Sequence, residues 1–164
     1  MRLVVLILML LTGPLVAQER FGALILGSQH FGDGGELNDF NPGLALGWRW
    51  PGPRGLEQSV EGGVFYNSYE EVSPFVLYGL SAEVARPTPN WSLRAGAFAG
   101  IALYEDLSEI LEDDYGLPNV EGFIPIAGIT GIARWRDTTD VRLTLVPPGA
   151  DVDLIVNLSL ARRF

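Results

Sequence analysis

The sequence predicts an all-β fold: an eight-stranded antiparallel up-and-down transmembrane β-barrel. Three observations carry that prediction. First, Val152, Leu154, Val156, Leu158 and Leu160 alternate with Asp153, Ile155, Asn157, Ser159 and Ala161, and Arg162-Arg163-Phe164 follows. A period of two with one apolar face is a half-buried strand. A strand that crosses a bilayer at a tilt needs about 9–11 residues and carries aromatics at the interface. Second, Met1-Arg2 opens onto the apolar run Leu3 to Leu11, and Gly13 to Ala17 offers a small residue for cleavage before Gln18. That is the pattern of a secretory signal, too short for a comfortable span. Third, alternating segments recur along the rest of the chain.

The expected organisation is therefore a signal peptide over residues 1–17 and one outer-membrane barrel over residues 18–164. A hydrophobic content of 48% with 19% charged residues suits a barrel that is apolar outside and polar within. Twenty glycines and eleven prolines argue against a helical bundle. No cysteine is present, so there is neither a disulfide framework nor a thiol for lipid attachment. One histidine without cysteine provides no metal-ligand spacing, and no metal or organic cofactor is expected.

Taken in order, the expected strands are Arg20–His30, Gly43–Trp50, Leu56–Tyr66, Pro74–Ala85, Trp91–Leu103, Phe123–Trp135, Thr138–Val146 and Val152–Phe164. Leu44, Leu46, Trp48 and Trp50 share an outward face in the second; Val76, Tyr78, Leu80, Ala82 and Val84 share one in the fourth. In the fifth, Trp91, Leu93, Ala95, Ala97, Ala99 and Ile101 alternate with Ser92, Arg94, Gly96, Phe98, Gly100 and Ala102. Val141, Leu143 and Leu145 face out from the seventh. The connections Pro51–Gly55, Arg86–Asn90 and Arg136-Asp137 are short turns, and the alternate ones are longer. Short turns fall periplasmic and long loops extracellular in such barrels. The loop Tyr104–Gly122 carries seven acids and no base.

Parity divides the lumen into two zones. Arg49, Glu61, Glu83, Arg94, Arg134, Asp140 and Arg142 face inward, mostly in the periplasmic half, where burial demands pairing. Leu24, Leu26, Phe75, Leu77, Phe98, Ile124, Ile126 and Val146 face inward above them. An apolar upper lumen over an ionic floor suits a hydrocarbon chain, although small barrels also fill their interiors with side chains.

Residues able to carry chemistry gather at the extracellular rim. His30, the only histidine, ends the first strand on the face of Ser28 and is a candidate general base. Asn67-Ser68-Tyr69 ends the third strand; Ser68 is a candidate nucleophile, and Asn67 a candidate orienting or oxyanion group. Strict alternation puts Asn67 on the inner face and Ser68 on the outer, so a bulge or the loop's path must bring Ser68 in. Pro125 and Pro147-Pro148 fall at the extracellular ends of the neighbouring sixth and seventh strands. Proline gives no N–H to a ladder, so this seam is a candidate lateral gate. The acidic run Glu105 to Asp114 reads as a solvated loop.

These landmarks resemble the lipid A palmitoyltransferase family of small outer-membrane barrels. Asn67-Ser68-Tyr69-Glu70-Glu71-Val72-Ser73-Pro74-Phe75-Val76-Leu77-Tyr78-Gly79 is similar to that family's segment from a catalytic Asp-Ser pair to a Tyr-Gly. Phe123-Ile124-Pro125-Ile126 and Leu145-Val146-Pro147-Pro148-Gly149 resemble its proline-broken gate strands, and His30-Phe31 with Asn38-Asp39-Phe40-Asn41-Pro42-Gly43 its first hairpin. The resemblance implies His30 and Ser68 as catalytic residues, with Asn67 where the family has aspartate. It also implies Gly79 as the floor of an acyl-chain pocket shared with Leu77, Phe98 and Ile126. The implied function is transfer of a phospholipid acyl chain to lipid A in the bacterial outer membrane. Phospholipid and lipopolysaccharide would be its partners, with no nucleic acid, and the protein a monomer. The alternative is a non-enzymatic barrel of the same fold, structural or surface-binding. A pore is disfavoured, because eight strands leave no open channel.

Overall fold

The protein is represented by a computed structural model that describes residues 18–32, 38–104, 121–147 and 154–164. The expected signal peptide, the acidic run Glu105 to Asp114 and Pro148 lie outside the described residues.

Eight strands form one closed barrel in sequence order: β1 (Glu19–Phe31), β2 (Gly43–Pro51), β3 (Glu57–Tyr66), β4 (Val72–Thr88), β5 (Trp91–Leu103), β6 (Phe123–Trp135), β7 (Thr139–Val146) and β8 (Leu154–Arg163). Each pairs antiparallel with the next, and β8 closes on β1. Closure leaves no sheet edge. The turns at one end are tight. Arg136 and Asp137 both have positive φ, the backbone a two-residue hairpin needs, and Thr138 N–H returns to the Trp135 carbonyl at 3.1 Å. A 3-10 turn over Pro53–Gly55 joins β2 to β3.

The outer surface is an apolar belt. Leu44, Leu46, Val76, Ile101, Ile129 and Leu143 are all exposed on it, as the alternation requires. Trp48, Trp91, Trp135 and Phe164 are exposed at the end with the tight turns, and Phe31 and Phe123 at the other. That is the placement of interfacial aromatic girdles.

The expected inward placement of Leu24 and Leu26 is corrected by β1. Both side chains face outward, at 43% and 37% exposure, whereas Phe21, Ala23 and Ile25 face in. A β-bulge between Ile25 and Gly27 inserts one residue opposite β8, so the inward parity passes from odd to even positions. Ser28 and His30 consequently turn into the lumen.

The floor is ionic. Arg134 binds Glu57 through two bonds of 2.8 Å and Asp140 through bonds of 2.7 and 2.9 Å. Arg49 joins Asp140 at 3.1 Å and Glu19 at 2.9 Å, and Arg163 also pairs with Glu19. One layer higher, Arg142 meets Glu61 at 2.6 Å. Glu57 is a member that parity reading left out. Glu83, expected inside, is instead exposed at the rim beside Arg86, because β4 runs past the end of the barrel wall.

Candidate functional site

The bulge in β1 builds the site. Below it, the β1–β2 ladder pairs Ile25 with Gly43. Beyond it, Ser28 meets Asn41 and His30 meets Asp39. Both pairs are joined through their side chains. The segment before β2 is anchored to β1 by Ser28 N–H donating to the Asp39 carbonyl at 3.0 Å.

Asp39 holds His30 at two points. Its Oδ1 lies 2.8 Å from His30 Nδ1 and accepts the His30 backbone N–H at 3.1 Å, while Oδ2 accepts Gln29 Nε2 at 2.8 Å. The hydrogen bond from His30 holds the Asp39 carboxyl below its ordinary value. An ionised carboxylate only accepts, so Nδ1 carries the ring proton and Nε2 presents a lone pair. Nε2 lies 2.8 Å from Ser68 Oγ. Ser68 therefore donates to His30, and His30 donates to Asp39.

Ser68 reaches this position from the turn between β3 and β4. Asn67, fully buried, sets that turn: its Oδ1 accepts the Tyr69 and Glu71 N–H groups at 2.9 and 3.0 Å, and its Nδ2 donates to Ser73 Oγ at 3.0 Å. Leaving the strand in this way takes Ser68 off the outward face that alternation assigned it. Its carbonyl accepts Asn38 N–H at 3.2 Å, which ties the β3–β4 turn to the segment before β2. Asn67 is thus bonded within its own turn, and the residue that orients His30 is Asp39.

Beneath the Asp39–His30–Ser68 line the lumen holds a cavity of about 260 Å³. Its upper wall is apolar, with Ile25, Phe65, Phe75, Leu77, Phe98, Ile126 and Val146. Phe65 packs edge-on against Phe75 at 5.8 Å and Tyr104 at 6.3 Å between ring centres. Gly79 lines the same cavity; a Cβ there would stand 2.6 Å from Ser59 Oγ. Leu77, Phe98, Ile126 and Gly79 therefore share one space below His30 and Ser68.

The seam between β6 and β7 lies beside that space. The β6–β7 ladder ends at Ile129 with Leu145, yet β6 stays paired to β5 as far as Phe123. From Phe123 to Gly128, β6 has no β7 partner among the described residues. Pro125 sits within this stretch of β6, and Pro147 follows the last residue of β7. No group of side chains suited to holding a metal ion occurs among the described residues.

No protein-family model and no curated protein matches this chain. Among solved structures, it is similar to Ail, the attachment invasion locus protein of Yersinia pestis: 15% identity, 92% of this chain, 100% of that one, TM-score 0.44. It is likewise similar to outer membrane protein W of E. coli, with 11% identity over 92% of this chain and 100% of that one, TM-score 0.41. Identities this low carry no residue assignment to this chain.

Proposed function

We propose that this chain is a bacterial outer-membrane enzyme that moves an acyl chain from a phospholipid to a hydroxyl of lipid A. The observation that carries the reading is the 2.8 Å contact of Ser68 Oγ with His30 Nε2, backed by Asp39 and set at the mouth of an apolar lumen. The exposed apolar belt and its aromatic ends support residence in a bilayer. Pro125 within β6 and Pro147 just after β7 give no N–H to the ladder, and this seam is the lateral way in for a lipid tail.

In the first step Ser68 Oγ attacks the ester carbonyl, and its proton passes to His30 Nε2. Asp39 stabilises the imidazolium. The bond to the glycerol oxygen breaks, that oxygen takes the proton from His30, and lysophospholipid leaves. A lipid A hydroxyl then attacks the acyl-Ser68 ester, gives its proton to His30, and Ser68 Oγ recovers it as the product ester departs. The chain lies between Phe75, Leu77 and Phe98 throughout, with its end toward Gly79.

The test is mass spectrometry of lipid A from a host without an acyltransferase of its own, expressing this chain or its Ser68→Ala variant. An added acyl mass that disappears in the variant is the expected result. An unchanged lipid A, with the barrel folded in the outer membrane, would overturn the transferase reading.

A further inference from the structure

We propose that Asn41 is the catalytic hydrogen-bond donor that holds the ester's carbonyl oxygen as Ser68 attacks it, with Ser28 as the positioning residue behind it. The inference rests on the acyl-ester reading above and names the remaining part of that site.

Attack at a carbonyl puts negative charge on its oxygen, and a donor already aimed at that point is among the largest single contributions to the rate. Backbone N–H groups following the nucleophile are a common source of such a donor. Here those groups are committed to the turn. Tyr69 and Glu71 N–H both go to Asn67 Oδ1, and Glu70 N–H goes to the Asn67 carbonyl. The His30 N–H is held by Asp39.

Asn41 offers a side-chain amide instead. The residue is 3% exposed, and its Nδ2 stands 3.5 Å from Ser68 Oγ. The amide's orientation follows from proton counting. Ser68 has one hydroxyl proton, and His30 Nε2 takes it. The atom of Asn41 facing Ser68 Oγ must therefore be a donor, since a carbonyl oxygen there would set two acceptors against each other. The Ser28 hydroxyl donates to Oδ1 on the far side and holds the amide in that sense. At 3.5 Å the N–H only just reaches Oγ. It is better placed for a second oxygen bonded to the same carbon that Oγ attacks, and this interaction strengthens only as charge develops.

The experiment uses the full-length barrel in detergent micelles containing a dipalmitoyl phospholipid, following release of lysophospholipid. Wild type is compared with Ser68→Ala, Asn41→Ala, Asn41→Asp and Ser28→Ala. Asn41→Ala should lower kcat by about 10²–10³-fold, with KM changed by no more than a few-fold. Asn41→Asp keeps the shape but turns a carboxylate on the forming oxyanion, so its kcat should fall at least as far. It also carries the test if Asn41→Ala fails to fold. Ser28→Ala should lower kcat by roughly tenfold, because the donor remains but is less firmly held. If wild type is active, Ser68→Ala is dead and both folded Asn41 variants keep kcat within threefold, the Asn41 assignment is wrong and the reading of the site survives. Wild type as inactive as Ser68→Ala would sink that reading and this inference together.

Discussion

At the scale of single residues, the site contains a substitution of parts. The family resemblance puts an acidic residue immediately before the serine, where this chain has a neutral Asn67. A neutral amide does not stabilise an imidazolium as a carboxylate does. The carboxylate arrives instead from Asp39 on the neighbouring hairpin, 2.8 Å from His30 Nδ1. Asp39→Asn should therefore lower kcat by on the order of 10²–10⁴-fold, measured by lysophospholipid release, with little effect on KM. An unchanged kcat would show that His30 works without it. The pH dependence follows from the direction of the Asp39 shift. Its folded carboxyl is held below the ordinary range, so the contact with His30 contributes above that range and is lost as pH falls through the lowered value. Acidification should accordingly abolish turnover before it unfolds the barrel, as followed by activity and circular dichroism on the same samples. Asn67 has a structural task. Asn67→Ala removes three buried hydrogen bonds and should destabilise the turn by about 1–3 kcal/mol, visible as faster amide exchange at Tyr69 and Glu71.

At the scale of elements, β1 and the β6–β7 seam decide what was legible beforehand. β5 and β6 run over the expected residues because a long alternation bounded by turns admits one register. Alternation fails on β1, where Leu24, Leu26, Ser28 and His30 read as one face but a bulge divides them. A bulge costs one residue of register and leaves no compositional mark, so the sequence could name His30 and Ser68 yet not the geometry that joins them. It also could not single out Asp39 or Asn41, whose contacts with His30 and Ser28 depend on the path of the irregular segment before β2. The prolines, by contrast, make the seam a candidate from the sequence alone, since a missing N–H is a property of the residue itself. If that seam admits the lipid chain, a disulfide between Ala127→Cys and Pro147→Cys, which continue the register of Ile129 with Leu145, should block it. Turnover should drop at least tenfold on oxidation and return on reduction; full activity in the oxidised, cross-linked protein would mean that lipid enters elsewhere. Chain selection belongs to the same scale. Gly79 and Ser59 face each other across the β3–β4 pair, and a Met side chain there must project into the cavity. Gly79→Met should shorten the acyl chain transferred, read directly from the lipid A mass.

At the scale of the whole molecule, the two ends of the lumen have separate tasks, and the floor can be weakened without touching the rim. Glu57 and Tyr66 bound β3, so floor and site lie roughly 30 Å apart along the strand. Arg134 is the centre of the floor. It is 5% exposed, satisfies both oxygens of Glu57 and both of Asp140, and so fastens β3, β6 and β7 across the barrel interior. Removing one member of such a group leaves its partners buried and uncompensated, which is strongly destabilising even where the intact group contributes little. In Arg134→Ala, Asp140 retains Arg49 at 3.1 Å, but Glu57 keeps only the long 3.9 Å approach of Arg94. The expected loss is about 3–5 kcal/mol in urea unfolding from lipid vesicles. Adding Glu57→Gln removes the stranded charge and should recover part of that loss. A recovery would identify the uncompensated carboxylate, rather than the lost volume of the arginine, as the cause. Neither variant should alter acyl-chain selection, because Gly79 and Leu77 pair with Ser59 and Glu61, one and two inward positions along β3 from Glu57. A change in chain length in Arg134→Ala would show that floor and acyl slot are one coupled unit, and that the ionic layer itself sets how deep a chain descends.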